Sequence, residues 1–362
     1  MEILCLPKYG DLAASTRQRF LQYRPHLAAM GLTLETSPLL GNAYLEKMYC
    51  GEHTNPVHLL EAYLVRYLKM GRAGGARLIW LHYEALTYMP WALEKRVFAS
   101  GLPIVFDIDD AIFHRYDSHR RRLVRVFLGN KIDRVMKNSS MVLAGNGYLA
   151  ERAQNAGARS VQVVPTVLDT TLYAAVEKPQ RNHADCKVVG WIGSPSTWSE
   201  YMAPMMPLLG SVAAEFGAKI MAVGAGPFTA EYPNLDNRNW SEATEVPLIQ
   251  EMDIGVMPLS DTPWARGKCG YKLIQYMACG LPVIASPVGV NAEIVEHGVN
   301  GFLAKTEAEW AEALRILLHD PVLRARMGVE GRRKIQQDYS LAAWGPRVAQ
   351  MLRQVSEIGR QA

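Results

Sequence analysis

Residues 267–289 read GKCGYKLIQYMACGLPVIASPVG. Glycines and Lys268 open the stretch, and a helical pattern of Leu273, Ile274 and Met277 follows. Gly-Leu-Pro then stops the helix, and Val283-Ile284-Ala285 resumes as an apolar strand. A helix N-terminus presents unpaired N–H groups and the positive end of a dipole, and glycines let an anion reach the backbone. Arg266, Lys268 and Lys272 add full charges at that end, so Gly267, Gly270 and Tyr271 frame a site for a phosphate or diphosphate. Gln275, one turn into the helix, offers an amide suited to a ribose hydroxyl. The stretch contains no carboxylate.

The same alternation extends in both directions. Residues 3–6, 78–81, 104–107, 141–144 and 161–164 read as strands, with helical patterns over 17–30, 57–71, 87–100, 118–138 and 147–156. A polar stretch at 171–187 breaks the pattern, which restarts with strands at 188–192, 219–223, 254–257 and 282–285. Continuous apolar strands separated by helices indicate parallel sheets covered on both faces. The expected architecture is α/β, with two Rossmann-like, doubly wound domains over 1–170 and 188–340 facing a central cleft. A linker at 171–187 joins them, and a final helix in 341–362 crosses back to the first domain. Ligands in such sheets bind beyond the carboxyl ends of the strands.

The chain of 362 residues is 49% hydrophobic and 20% charged, within the range of globular proteins. Its net charge of +4 argues against a nucleic-acid partner, and its five scattered cysteines contain no Cys-x-x-Cys pair. The opening MEILCLP lacks a basic leader, and no apolar run reaches the length of a membrane span. The expected location is cytoplasmic. Residues 1–170 hold 21 Lys and Arg against 15 Asp and Glu, and the remainder 18 against 20. Much of the excess lies in 117–139, where Arg120, Arg121, Arg122, Arg125, Lys131, Arg134 and Lys137 flank Leu123, Val126, Phe127, Ile132 and Val135. A basic amphipathic helix there would suit peripheral contact with an anionic membrane at its inner face; an ordinary solvated face over a core stripe is the alternative.

Beyond residue 188 the motifs become specific. The run GYKLIQYMACGLPVIASPVGVNAEIVEHGVNGFLA resembles the C-terminal half of GT-B glycosyltransferases, in particular the retaining family 4 (glycosyltransferase group 1 type). VGWIGSPST (189–197), AVGAGP (222–227) and MDIGVMPL (252–259) agree with it, and ASTRQRFLQYRPHLAAMGL (14–32) and VPTVLDTTLY (164–173) do so more loosely. The resemblance implies a nucleotide-diphosphate sugar as donor, a UDP- or GDP-sugar, with Gly193, Ser194, Ser196, Thr197, Trp240 and Glu293 also around it. It implies no metal and no required cofactor. In that family an E-x7-E pair contacts the donor sugar and the ribose. Here Gly267 and Gln275 stand at those positions, so both carboxylates are absent and the cationic role shifts to Arg266, Lys268 and Lys272.

In the first half, IVFDIDDAIFH (104–114) puts Asp107, Asp109, Asp110 and His114 at a strand's carboxyl end, where His114 would donate to a sugar or to phosphate. Asp109 aligns with a histidine that touches the donor sugar in the family, and an aspartate there would stabilise positive charge on an oxocarbenium-like transition state. Gly10, Arg17 and Arg19, after the first strand, would meet a carboxylate or phosphate of donor or acceptor. The expected activity is a hexosyltransferase-like transfer to a hydroxyl of a carbohydrate or lipid-linked acceptor, in surface polysaccharide or glycolipid synthesis, with retention and without metal. Two alternatives stand beside it. One is a nucleotide-sugar-binding protein impaired in catalysis. The other is a phosphohydrolase using the Asp-x-Asp of 107–109; a GT-A site holding a divalent ion on the same DxD ranks below it.

Overall fold

The computed structural model describes residues 2–49, 52, 54–70, 74–173, 186–227, 232 and 234–358. Strands β1 (Glu2–Leu6), β2 (Thr33–Thr36), β3 (Ala76–His82), β4 (Ile104–Ile108), β5 (Met141–Ala144) and β6 (Val161–Val163) form one parallel sheet in the order β2-β1-β3-β4-β5-β6. A second parallel sheet follows, with β7 (Val188–Ile192), β8 (Lys219–Val223), β9 (Leu235–Arg238), β10 (Ile254–Met257), β11 (Val283–Ala285) and β12 (Gly301–Leu303). Its order is β12-β11-β10-β7-β8-β9. The central strands are buried on both faces, as their unbroken apolar runs require: Ile79, Trp80, Leu81, Val105 and Phe106 in the first sheet, Val189, Ile220, Ala222 and Val256 in the second.

The chain divides into two units. The first holds residues up to Thr166, the segment Arg266–Cys269 and the final helix; the second holds Val167–Ala265 and Gly270–Ser340. The chain thus leaves the second unit for four residues at the point where the sequence places the anion site. The final helix, Leu341–Ile358, buries Val348, Ala349 and Leu352 and packs on the helix Arg24–Ala29 and on β3. The expected linker at 171–187 lies outside the described residues except for 171–173 and 186–187.

Three strands escaped the sequence pattern, and each borders a sheet: Thr33–Thr36, Leu235–Arg238 and Gly301–Leu303. Edge strands are wetted on one side and need no apolar run, and TLET and LDNR carry none. The helix expected over 17–30 is broken by a 3₁₀ turn at Leu21–Tyr23, ahead of Pro25 in the next helix. The span 87–100 holds only the short helix Trp91–Glu94 and a 3₁₀ turn. The single basic helix expected over 118–138 is two: Arg122–Leu128 and Lys131–Asn138. The second turns Ile132, Val135 and Met136 inward, whereas the first buries only Leu128.

Candidate functional site

In the first unit the site residues gather at the carboxyl ends of β3 and β4. Asp107, the last buried charge of β4, is 1% exposed and held by Arg19, whose Nε and Nη2 donate to its two carboxylate oxygens at 2.8 and 3.2 Å. Trp80 Nε1 donates to the same carboxylate at 3.3 Å, and Arg19 Nη1 also donates to the Val164 carbonyl at 3.0 Å. The structure therefore corrects the expectation for Arg19: its guanidinium braces the sheet from within and is not presented to a ligand. It also removes the phosphohydrolase alternative, because an aspartyl nucleophile needs an exposed carboxylate oxygen and Asp107 has none.

Asp109 and Asp110 sit beyond it. Tyr83 donates its hydroxyl to Asp109 Oδ1, and His82 Nε2 lies 3.3 Å from the same oxygen. Burial pushes the Asp109 carboxyl up, but the His82 bond and the charges of His82 and Arg19 outweigh it and hold it at about 2. Asp110 goes the other way. Burial and the neighbouring Asp109 charge push it up to about 7, against the pull of Lys268 and Arg115. Adjacent residues thus provide a fixed carboxylate and one that titrates near neutrality, the division that acid–base chemistry uses. Nearby, burial and Arg115 push the Lys8 ammonium down to about 8.

Tyr83 reaches Asp109 from a strained backbone. Its φ is +61°, and Tyr88 at +58° closes the same loop. Bulky residues avoid this region, so the surrounding contacts must impose it. They do so from below. The N–H groups of Ala85 and Leu86 donate to the buried Glu94 carboxylate. Lys131 Nζ donates to Glu84 Oε2 at 2.6 Å, lies 3.3 Å from Glu94 and also bonds the Leu86 carbonyl. Tyr116 closes the group with its hydroxyl on Glu84 at 2.7 Å. Lys131, read in the sequence as part of a solvated basic face, is 0% exposed.

The segment Arg266–Cys269 comes to this group. Asn146 Nδ2 donates to the Lys268 carbonyl at 3.0 Å, and Gly267 lies against Ala111 so closely that a Cβ there would stand 2.4 Å from the Ala111 methyl. The position that carries a glutamate in the resembled family therefore has no room for any side chain. His114 is engaged on both ring nitrogens, Nδ1 with Asp117 at 2.9 Å and Nε2 with the Tyr148 hydroxyl at 2.8 Å, which corrects its expected place as a sugar or phosphate donor. Arg17 Nη1 donates to the carbonyls of Asp11 and Leu12 at 2.9 and 2.8 Å, so this nitrogen holds the loop after β1. Gly10 belongs to that loop, bonding the Leu40 carbonyl at 3.0 Å and bordering a cavity of about 210 Å³ with Asp11 and Arg24.

In the second unit Gly270, at φ +68°, opens the helix Tyr271–Ala278, and a Cβ there would stand 2.5 Å from Ile294. Lys272 lies over the Trp191 ring at 5.2 Å. Gln275 points inward: Nε2 donates to Glu245 Oε1 at 2.7 Å and to the Tyr173 hydroxyl at 3.1 Å. Trp240 Nε1 donates to Glu245 Oε2 at 2.8 Å. Glu245, absent from the sequence reading, is thus the carboxylate around which Trp240 and Gln275 meet. The hydroxyls of Ser194, Ser196 and Thr197 bond one another at 3.0–3.2 Å in a helix cap after Gly193. Glu293 is exposed in the short helix Asn291–Ile294.

Residues 186–320 match the family described as Glycosyl transferases group 1. Among solved structures, HepE of Anabaena in complex with UDP superposes with a TM-score of 0.70 at 17% identity, covering 98% of this chain and 100% of that one. WaaG, a glycosyltransferase involved in lipopolysaccharide biosynthesis, does so with 0.66 at 15%, covering 97% and 99%. The chain carries a group 1 glycosyl transferase domain on a GT-B fold. Among curated proteins, alpha-1,3/1,6-mannosyltransferase ALG2 of Homo sapiens is 36% identical to the group 1 domain's chain over 70 residues, 19% of this chain and 16% of that protein. N-acetyl-alpha-D-glucosaminyl L-malate synthase of Bacillus anthracis is 27% identical over 135 residues, 35% of each. The chain spans about a sixth and a third of the lengths of these two relatives.

Two outcomes follow from the geometry. Lys131→Met leaves Glu94 buried without its cation and Glu84 with only Arg115 at 4.0 Å, and should lower the unfolding free energy by about 3–5 kcal/mol, read from the urea midpoint. Asp110 binds its proton more tightly folded than unfolded, so its contribution to stability is full below about pH 4 and lost as the pH rises through about 7. The melting temperature of Asp110→Asn relative to the parent should therefore climb between pH 4 and pH 8; a constant difference would contradict the assignment.

Proposed function

We propose that the chain transfers a sugar from a nucleotide-diphosphate donor to a hydroxyl of a carbohydrate or lipid-linked acceptor, in synthesis of a surface polysaccharide or glycolipid. The observation that carries this reading is the segment 266–272 within the group 1 domain. There Arg266 and Lys268 precede a left-handed Gly270 that opens a helix bearing Lys272. Cations, a close backbone and a helix N-terminus are what a diphosphate leaving group requires. The complex of HepE with UDP-glucose favours UDP as the nucleotide over GDP.

In the reaction, the bond between the anomeric carbon and a diphosphate oxygen breaks as the acceptor oxygen bonds to that carbon. The hydroxyl proton passes to the departing diphosphate, and front-face attack retains the configuration. Arg266 and Lys268 neutralise the leaving group in place of a metal, and the Asp109 carboxylate offsets positive charge at the anomeric centre. The lost E-x7-E carboxylates favour a second reading, a protein that binds the donor without turning it over.

Calorimetric titration with UDP-, GDP-, dTDP- and CMP-sugars, with and without EDTA, tests both. One nucleotide sugar should bind regardless of EDTA, and Lys268→Ala should weaken it about tenfold or more. Slow hydrolysis of the bound donor separates enzyme from binder. A requirement for Mg²⁺, or no binding by any of the four, would overturn the proposal.

The acceptor is brought by an anionic membrane surface. The helix Arg122–Leu128 leaves Leu123, Val126 and Phe127 64–70% exposed beside Arg120, Arg121, Arg122 and Arg125. Apolar side chains that enter the headgroup region between guanidinium groups suit an anionic bilayer. The chain should co-sediment with phosphatidylglycerol vesicles and not with phosphatidylcholine alone, and Phe127→Asp should cut the bound fraction several-fold. Equal sedimentation with both lipids would refute the electrostatic part.

A further inference from the structure

The first unit contains a cavity of about 600 Å³ away from the aspartates, at the carboxyl end of β2. Its walls come from Thr36 and Ser37, the loop that follows, the helix Asn42–Tyr49 and the helix Pro56–Met70. That volume lies in the range of small-molecule sites. Leu39, Leu59 and Val65 make part of the lining apolar.

Arg66 is what the cavity does not explain by packing. It is 2% exposed, and its Nη2 donates to the carbonyls of Pro7, at 3.0 Å, and Ser37. Its Nε and Nη1 are buried and have no hydrogen-bond partner, and among the described residues it has no ion-pair partner. Burial pushes the guanidinium down to about 10, with Cys5 and Glu94 opposing. A buried cation left unpaired is costly, and unsatisfied buried donors call for a counterpart. The rim adds the same sign of charge. Lys47 and Lys69 are exposed there with His58, and Glu61 is the one acid among the described lining residues.

We propose that this cavity binds a small anionic molecule, a phosphate or carboxylate carried on an organic body, with the anion drawn to Arg66 and the rim lysines. A guanidinium suits either anion geometrically, and Lys47 and Lys69 supply point charges at the mouth. The apolar wall takes the organic body. The site shares no residue with the segment 266–272, so it stands or falls separately from donor binding. The same chemistry is presented by a soluble ester or by a lipid headgroup.

Titration of the full chain with glucose 6-phosphate, malonate and phosphatidic acid vesicles tests it and separates the sources. At least one should bind with a dissociation constant of about 1 mM or tighter and raise the melting temperature. Binding to glucose 6-phosphate or malonate assigns a soluble ligand, and binding to the vesicles alone assigns a headgroup. Arg66→Met, with its far-UV dichroism unchanged, should weaken binding at least tenfold. If that variant does not fold, the double variant Lys47→Ala, Lys69→Ala decides, because both side chains are exposed: a loss of threefold or more is expected. Phosphatidic acid binding retained by all these variants but lost in Phe127→Asp would move it to the helix Arg122–Leu128 and overturn the proposal. So would the absence of binding by all three probes, or affinity unchanged in the folded Arg66 variant.

Discussion

A single buried ammonium holds together the side of the first unit that carries Asp109 and Asp110. Lys131 joins Glu84, Glu94 and the Leu86 carbonyl, and through them fixes the loop that leaves β3. Two tyrosines in that loop adopt backbone angles that bulky residues avoid, and one of them delivers its hydroxyl to Asp109. Desolvating three charges is expensive, and the expense is offset only because each has partners in good geometry. The rigidity gained is local and directed. It places the phenol and the imidazole of consecutive residues on one carboxylate oxygen.

That placement separates two neighbouring carboxylates chemically. Asp109 receives the donors and keeps its charge, and Asp110, beside it, feels that charge and gives up its proton only near neutrality. Lys268 then meets a pair whose charge depends on pH, next to a glycine too close to Ala111 to carry a side chain. At 267, where the resembled family carries a glutamate, the packing against Ala111 admits only glycine. In the second unit Glu245 stands beside Gln275, so a carboxylate remains near the second lost position although it comes from a different helix.

Much of the fold was legible because its central strands are buried on both faces and therefore run apolar without interruption. The border strands were not, since TLET and LDNR look like any polar loop until a neighbour pairs with them. The places of Asp109, Asp110 and Lys268 at strand and helix ends were readable from the sequence. Arg19 was misread for want of its partner: Asp107 lies 88 residues away, and no local pattern distinguishes a brace from a ligand contact. Tyr83 and His82 left a faint signal, a polar triplet after the apolar run LIWL, that gains meaning only when β3 and β4 lie side by side. Glu245 sat in a mixed helical segment with no apolar face to mark it, and needed Trp240 and Gln275 around it to be recognised.

The final helix has a consequence for how the chain is made. Leu341–Ile358 covers the helix Arg24–Ala29, where the His26 ring fills the space left by the missing side chain of Gly345. At 5–20 residues per second, roughly 15–60 s of synthesis separate the two segments. During that time the first sheet has emerged from the ribosome while an apolar strip on it is still uncovered. The second unit, contiguous apart from four residues, is complete at Ser340, before the final helix of the first unit has been made.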